Sequence, residues 1–137
     1  MTRSDARRHA FKALFAYEAN KTTDINELWQ MVSESTEATP SDFAEELFFG
    51  TVEHISELDA EIAANSKKRI FERISKVALA ILRLSLYEIK YMPDIGLKIS
   101  INEALDLAHE YGDEKTAAFV NGVIAGIVNT VGTSDAE

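Results

Sequence analysis

The residues best suited to chemistry are scattered in this chain. His9, His54 and His109 are far apart, and none has a second histidine or an acid at the spacing of a metal site. Cysteine is absent, which excludes disulfides, thiolate metal sites and a cysteine nucleophile. There is no GxSxG elbow, no phosphate-cradling P-loop and no GxGxxG turn. Glu45/Glu46 and Asp113/Glu114 are acid pairs of the kind common on solvated helix faces. General acid-base work would need a pocket that separates their pKa values. The expectation is a protein without a catalytic centre, a cofactor or a metal.

The cations are different, because they are grouped. The formal net charge is -9, which by itself speaks against phosphate-rich partners. The charge changes sign along the chain, however. Residues 1–12 carry Arg3, Arg7, Arg8 and Lys12 against Asp5, a balance of +3. Residues 13–66 carry Lys21 against twelve acids. Residues 67–76 return to +4 through Lys67, Lys68, Arg69, Arg73 and Lys76 against Glu72. Cations in a first helical turn oppose the helix dipole, so stability alone would place acids there. Arginine suits phosphate because its planar fork donates two parallel hydrogen bonds. At about 100° per residue, Arg3 and Arg7 share a side with Ala10 and Leu14. The expectation is a helix end that projects past the core and offers guanidinium groups to a partner. The alternative is a basic terminus that only aids solubility. The second cluster reads as a solvated turn and helix start, or as a secondary basic patch at Lys67, Lys68 and Arg69.

The elements that must hold these groups are helical. Ala10, Phe11, Leu14 and Phe15 mark a first apolar stripe, with Thr2 or Ser4 as N-cap. Ile25, Leu28, Trp29 and Val32 repeat at helical spacing behind Thr23. Thr39-Pro40-Ser41-Asp42 is a helix-start pattern, and Phe43 to Ile62 reads as one long amphipathic helix. Val77 to Ile89 is apolar at nearly every position, the mark of a central buried helix. Ser100 and Glu103 match a capping box ahead of Ala104, Leu105, Ala108 and Tyr111. The uncharged stretch 116–134 contains Asn121, Gly122, Gly126 and Asn129, and predicts a buried helix rather than a membrane span. Gly122 and Gly126 would let a neighbouring helix come close.

No strand alternation and no repeat is present. The fold class is therefore all-α: six to seven helices in two packed three-helix bundles, about 1–65 and 66–132, in one domain with a frayed tail at 133–137. The start has no continuous apolar signal core, so a cytoplasmic protein is expected. Arg83 is the odd residue of the apolar helix. A buried guanidinium without a partner is costly, so Arg83 is expected to pair with a carboxylate of another helix, Glu103 first, or to reach water; the functional alternative is that it faces a ligand.

Four blocks carry a resemblance. They are Thr2-Arg3-Ser4-Asp5-Ala6-Arg7-Arg8 with Ala13-Leu14-Phe15; Arg73-Ile74-Ser75-Lys76-Val77 with Ile81 to Ile89; Ile101 to Ala108; and Phe119-Val120-Asn121-Gly122-Val123. In order and spacing the chain resembles the NusB family of bacterial transcription antitermination factors. The resemblance implies two three-helix bundles and binding to boxA-type single-stranded RNA. It implies a heterodimer with the small-subunit ribosomal protein NusE, which joins other Nus factors on RNA polymerase during ribosomal RNA transcription. By position it puts RNA contacts at Arg3, Arg7, Arg8 and Lys12, with Lys115 and Phe119 as a second segment. Phe119 would either stack on a base or pack in the core. Some relatives form homodimers that cover the arginine-rich segment. The chain departs from many relatives at Arg69, where they have Trp nearby, and its N-terminal cluster is thinner. The competing reading is a helical interaction scaffold that binds no RNA.

Overall fold

The computed structural model describes residues 1–36, 39–66 and 73–131, with side chains as far as Asn129 in the last helix. Lys67, Lys68, Arg69 and the tail 133–137 lie outside the described residues. The described residues form seven α-helices and no strand, as the periodicity predicts. They are α1 (Arg3–Ala19), α2 (Ile25–Ser35), α3 (Asp42–Glu53), α4 (Ile55–Ala64), α5 (Lys76–Tyr91), α6 (Leu97–Tyr111) and α7 (Glu114–Val131). A short 3-10 turn, Pro93–Ile95, joins α5 to α6.

Most helix starts are fixed by local chemistry. The Thr2 hydroxyl accepts a hydrogen bond from Asp5 N at 3.0 Å. Ser41 and Ser75 do the same for Ala44 and Ala78. At α2 the cap is Asp24, one residue beyond Thr23; its Oδ1 accepts from both Asn26 N and Glu27 N. A carboxylate satisfies two free donors there and also complements the dipole.

The centre of the molecule is α5. Every residue from Ala80 to Glu88 is buried, and α5 packs against α1, α3, α4, α6 and α7. Trp29 stacks on Phe48 at 5.1 Å, and Phe11 stacks on Tyr111 at 4.6 Å, so one apolar cluster runs through the helices. His9 belongs to it. Its ring lies 4.5 Å from Trp29 and its Nε2 bonds Ser33 Oγ at 2.9 Å. Burial, with help from the charge of Lys12, pulls its pKa below the ordinary value and favours the neutral ring. Among the described residues no group of histidines and acids could hold a metal, and no helix is long and apolar enough to cross a membrane.

Three expectations are corrected. The long helix 43–62 is two helices, bent at His54, whose ψ of 16° leaves the helical range. The His54 ring stacks on Tyr91 at 4.3 Å, and Tyr87 fills the space beside Gly50, where an added Cβ would stand 2.2 Å from the Tyr87 ring. The capping box is absent. Gly96 takes φ +101° and turns the chain, so α6 starts at Leu97 and Ser100 lies within it. The two glycines of α7 are also unlike. A Cβ on Gly126 would meet Asn65 Oδ1 at 3.1 Å, whereas one on Gly122 would meet nothing within 4 Å. Glycine within a helix costs about 0.5–1 kcal/mol relative to alanine. Gly122→Ala should therefore raise the unfolding free energy by that amount, read as a higher urea midpoint at an unchanged m-value. A lower midpoint would mean that Gly122 is packed against something.

Candidate nucleic-acid interface

The first turns of α1 divide the N-terminal cations between inside and outside. Arg7 is buried, at 3% exposure, because it continues the stripe of Ala10 and Leu14 into the core. Its Nε donates to Glu88 Oε1 at 2.8 Å and its Nη2 to Oε2 at 3.0 Å, a two-pronged pair. Its Nη1 stands 3.4 Å from Glu103 Oε1. Ser100 Oγ donates to Glu88 at 2.5 Å, and Ser4 Oγ donates to Glu103 at 2.8 Å. The two residues of the expected capping box thus serve a polar knot joining α1, α5 and α6. The shared stripe that suggests a projecting arginine instead marks an internal one. Arg7 is a structural cation, and the sequence expectation of an exposed contact is corrected accordingly.

Arg83 is paired too, though not with Glu103. Its Nε and Nη2 donate to the two oxygens of Asp59 at 2.8 Å each, and its Nη1 to Glu18 at 2.7 Å. Arg83 and Glu88 are five residues apart, about 140° around the helix. Arg83 therefore faces α1 and α4, while the Glu88 side meets Arg7 and α6. Glu88 is the residue that sequence reasoning misses. An acid and an arginine in one all-buried helix signal two internal pairs, with Arg7 on its own apolar stripe as the available partner.

The outer face of α1 carries Arg8, Lys12 and Phe15, whereas Arg3 lies about 120–180° around the helix from them, on the side of Arg7. Arg3 is exposed, and its guanidinium sits 4.7 Å from the Phe43 ring centroid. Lys12 is exposed on the rim of a surface groove of 250 Å³ that it lines with Phe11, Phe15, Val77 and Tyr111. Phe15 is 40% exposed, a large apolar ring presented beside a cation. Helical spacing alone assigns it to the core. Arg8 is half-exposed, and its Nε donates to both oxygens of Glu110, at 2.9 and 3.1 Å, while Nη1 donates to Asp5 at 3.0 Å. Burial would raise the Glu110 pKa, but the hydrogen bond from Arg8 outweighs it and holds the carboxyl below its ordinary range. Tyr111 is pushed up to about 12 by burial and by the Glu110 carboxylate.

Glu110 and Tyr111 end α6, so these contacts bring the α6–α7 turn beside α1. Asp113 caps α7, accepting from Thr116 N at 2.8 Å. Lys115 is exposed in the first turn of α7. Phe119, one turn on, is partly buried and packed against the core. Arg3, Lys12 and Lys115 have no ion pair among the described residues, and Arg8 is held by carboxylates. The surface thus combines basic groups with an aromatic-lined groove, chemistry that fits a phosphate chain with unstacked bases.

The NusB family model matches residues 4–129. The chain belongs to the NusB family. A transcription antitermination protein NusB of Agathobacter rectalis is 42% identical over 129 residues, covering 91% of this chain and 98% of the relative. The NusB protein of Listeria monocytogenes serotype 4a is 40% identical over 127 residues, covering 93% and 96%. Among solved structures, one of the antitermination factors NusB and NusE in complex with double-stranded RNA superposes with a TM-score of 0.83 at 28% identity, covering 95% of this chain and 99% of that one. Membership accords with the segment order and with the all-helical NusB-like fold.

Proposed function

We propose that this chain is a transcription antitermination factor without catalytic activity. In this reading it binds boxA-type single-stranded RNA together with the ribosomal protein NusE, and acts with other Nus factors on RNA polymerase during ribosomal RNA transcription. Membership in the NusB family supports this, as do relatives named as antitermination proteins and a structural neighbour holding both NusE and RNA. The observation that carries the RNA reading is the outer face of α1, where Arg8 and Lys12 lie with the exposed Phe15 ring beside the end of α6, with Lys115 and then Phe119 following in the first turns of α7; Arg3 stands at the start of α1 on its other side. Arg3, Arg8, Lys12 and Lys115 would take phosphates, and Phe119 would present its exposed edge to a base. The acidic remainder of the surface would suppress indiscriminate phosphate binding and suit a basic ribosomal protein.

The test is a titration of a boxA-like oligonucleotide and a scrambled one across a salt series, with and without NusE. Arg3→Ala and Lys12→Ala should each weaken binding and flatten the salt slope, by about 0.7 for each single-strand phosphate that is no longer neutralised. With so few exposed cations, affinity should rise when NusE is present. Equal affinity with and without NusE would contradict that part. No preference for the boxA-like strand, together with an unchanged slope, would favour the scaffold that binds no RNA.

A further inference from the structure

Arg8 differs from the other exposed cations of the proposed RNA face. Lys12 and Lys115 have no carboxylate partner among the described residues, whereas Arg8 donates its Nε to both oxygens of Glu110 and its Nη1 to Asp5. These acids occupy donors that a phosphate would use, since phosphate oxygens accept from guanidinium N–H groups as carboxylate oxygens do. Glu110 is anchored at the end of α6, beside Tyr111 in the groove wall. We propose that Glu110 sets the RNA affinity of this face: it occupies the Arg8 guanidinium in the free protein and is displaced by an RNA phosphate on binding. This rests on the reading of Arg8 as an RNA contact.

Displacement is within reach because the pair is accessible to water, with side chains 40% and 41% exposed. Such pairs are weak, so one phosphate gains little by the exchange. An RNA that also engages Lys12 and Lys115 brings the phosphate to Arg8 at high local concentration and completes the exchange. Glu110 therefore penalises incidental phosphates more than a strand that fits the whole face.

The experiment measures binding of a boxA-like RNA by fluorescence anisotropy at fixed salt for the full chain and four variants: Glu110→Gln, Arg8→Ala, both together, and Glu53→Gln as a remote neutralisation. Glu110→Gln should tighten binding about two- to five-fold, the range of an exposed ion pair. Arg8→Ala should weaken it. In the Arg8→Ala background Glu110→Gln should tighten binding no more than Glu53→Gln does. An unchanged or weaker Glu110→Gln, alongside a weakened Arg8→Ala, overturns the role of Glu110 while leaving the RNA face intact. The same holds if Glu110→Gln tightens binding equally with and without Arg8. If Arg8→Ala leaves binding unchanged, the assignment of Arg8 to the RNA face falls, and the role of Glu110 falls with it. Thermal melts of each variant confirm that the fold persists, as expected for side chains this exposed.

Discussion

Arg7→Ala is expected to lower the unfolding free energy by about 3–5 kcal/mol, the cost of stranding a buried charge. The Glu88 carboxylate is 2% exposed and holds both prongs of Arg7. Without Arg7, only the Ser100 hydroxyl would remain on it, and Glu103 would lose its nearest cation. Domains of this size hold about 5–15 kcal/mol in total, so the loss takes a large share. Arg7→Lys keeps the charge but not the fork, and should fall between wild type and Arg7→Ala. Replacing both partners, Arg7→Met with Glu88→Leu, should recover much of the loss, because no charge is then left buried. Urea midpoints at constant m-value measure all three. A loss under about 1 kcal/mol for Arg7→Ala would mean that water reaches the pair. The result also governs how RNA data are read. Weak RNA binding by an Arg7 variant would report a loosened α1 rather than the removal of a phosphate ligand, so Arg3, Arg8 and Lys12 are the informative positions.

What the sequence reveals and conceals follows from the range of each interaction. Helix existence and most starts are local matters. Thr2, Ser41 and Ser75 cap donors two or three residues away, and the stripe of Ala10 and Leu14 marks a buried face. The uninterrupted burial of α5 likewise follows from its apolar run. Polar residues are less legible, because their partners are remote in sequence. Ser100 and Glu103 fit a local box, yet they bond residues from α5 and α1. Arg3 and Arg7 look alike as neighbours on one helix face, and only packing against α5 separates an exposed arginine from a buried one. The bend at His54 has no proline or glycine at that residue to announce it; it accompanies the stacking of His54 on Tyr91, a tertiary contact. On the outer face, Phe15 falls on a core spacing but lies at the edge of the stripe, beside Lys12. Composition can show that basic residues cluster; it cannot show which of them are already neutralised.

Arg83→Ala should cost about 2–3 kcal/mol, less than Arg7→Ala. Both arginines are buried, but their acids differ in access to water. Glu18 and Asp59 are 21% and 27% exposed, so they can rehydrate when Arg83 is removed, whereas Glu88 cannot. Part of the cost is repulsion between the two acids that Arg83 now separates. The double-mutant cycle of Arg83→Ala with Asp59→Asn should therefore show coupling of at least about 1 kcal/mol, while the cycle with Glu103→Gln should be additive within about 0.5 kcal/mol. Coupling to Glu103 in place of Asp59 would contradict the observed orientation of α5. The pair also has a pH signature. Burial would raise Glu18, but Arg83 outweighs it and holds the carboxyl below its ordinary value of 4.5. A depressed acid stabilises the fold above its unfolded pKa and ceases to do so as pH falls through its folded pKa. The stability difference between wild type and Arg83→Ala should thus be full at neutral pH and shrink only in the acid range below 4.5. A difference that already shrinks between pH 7 and pH 5 would point to a histidine in place of Glu18 as the partner that matters.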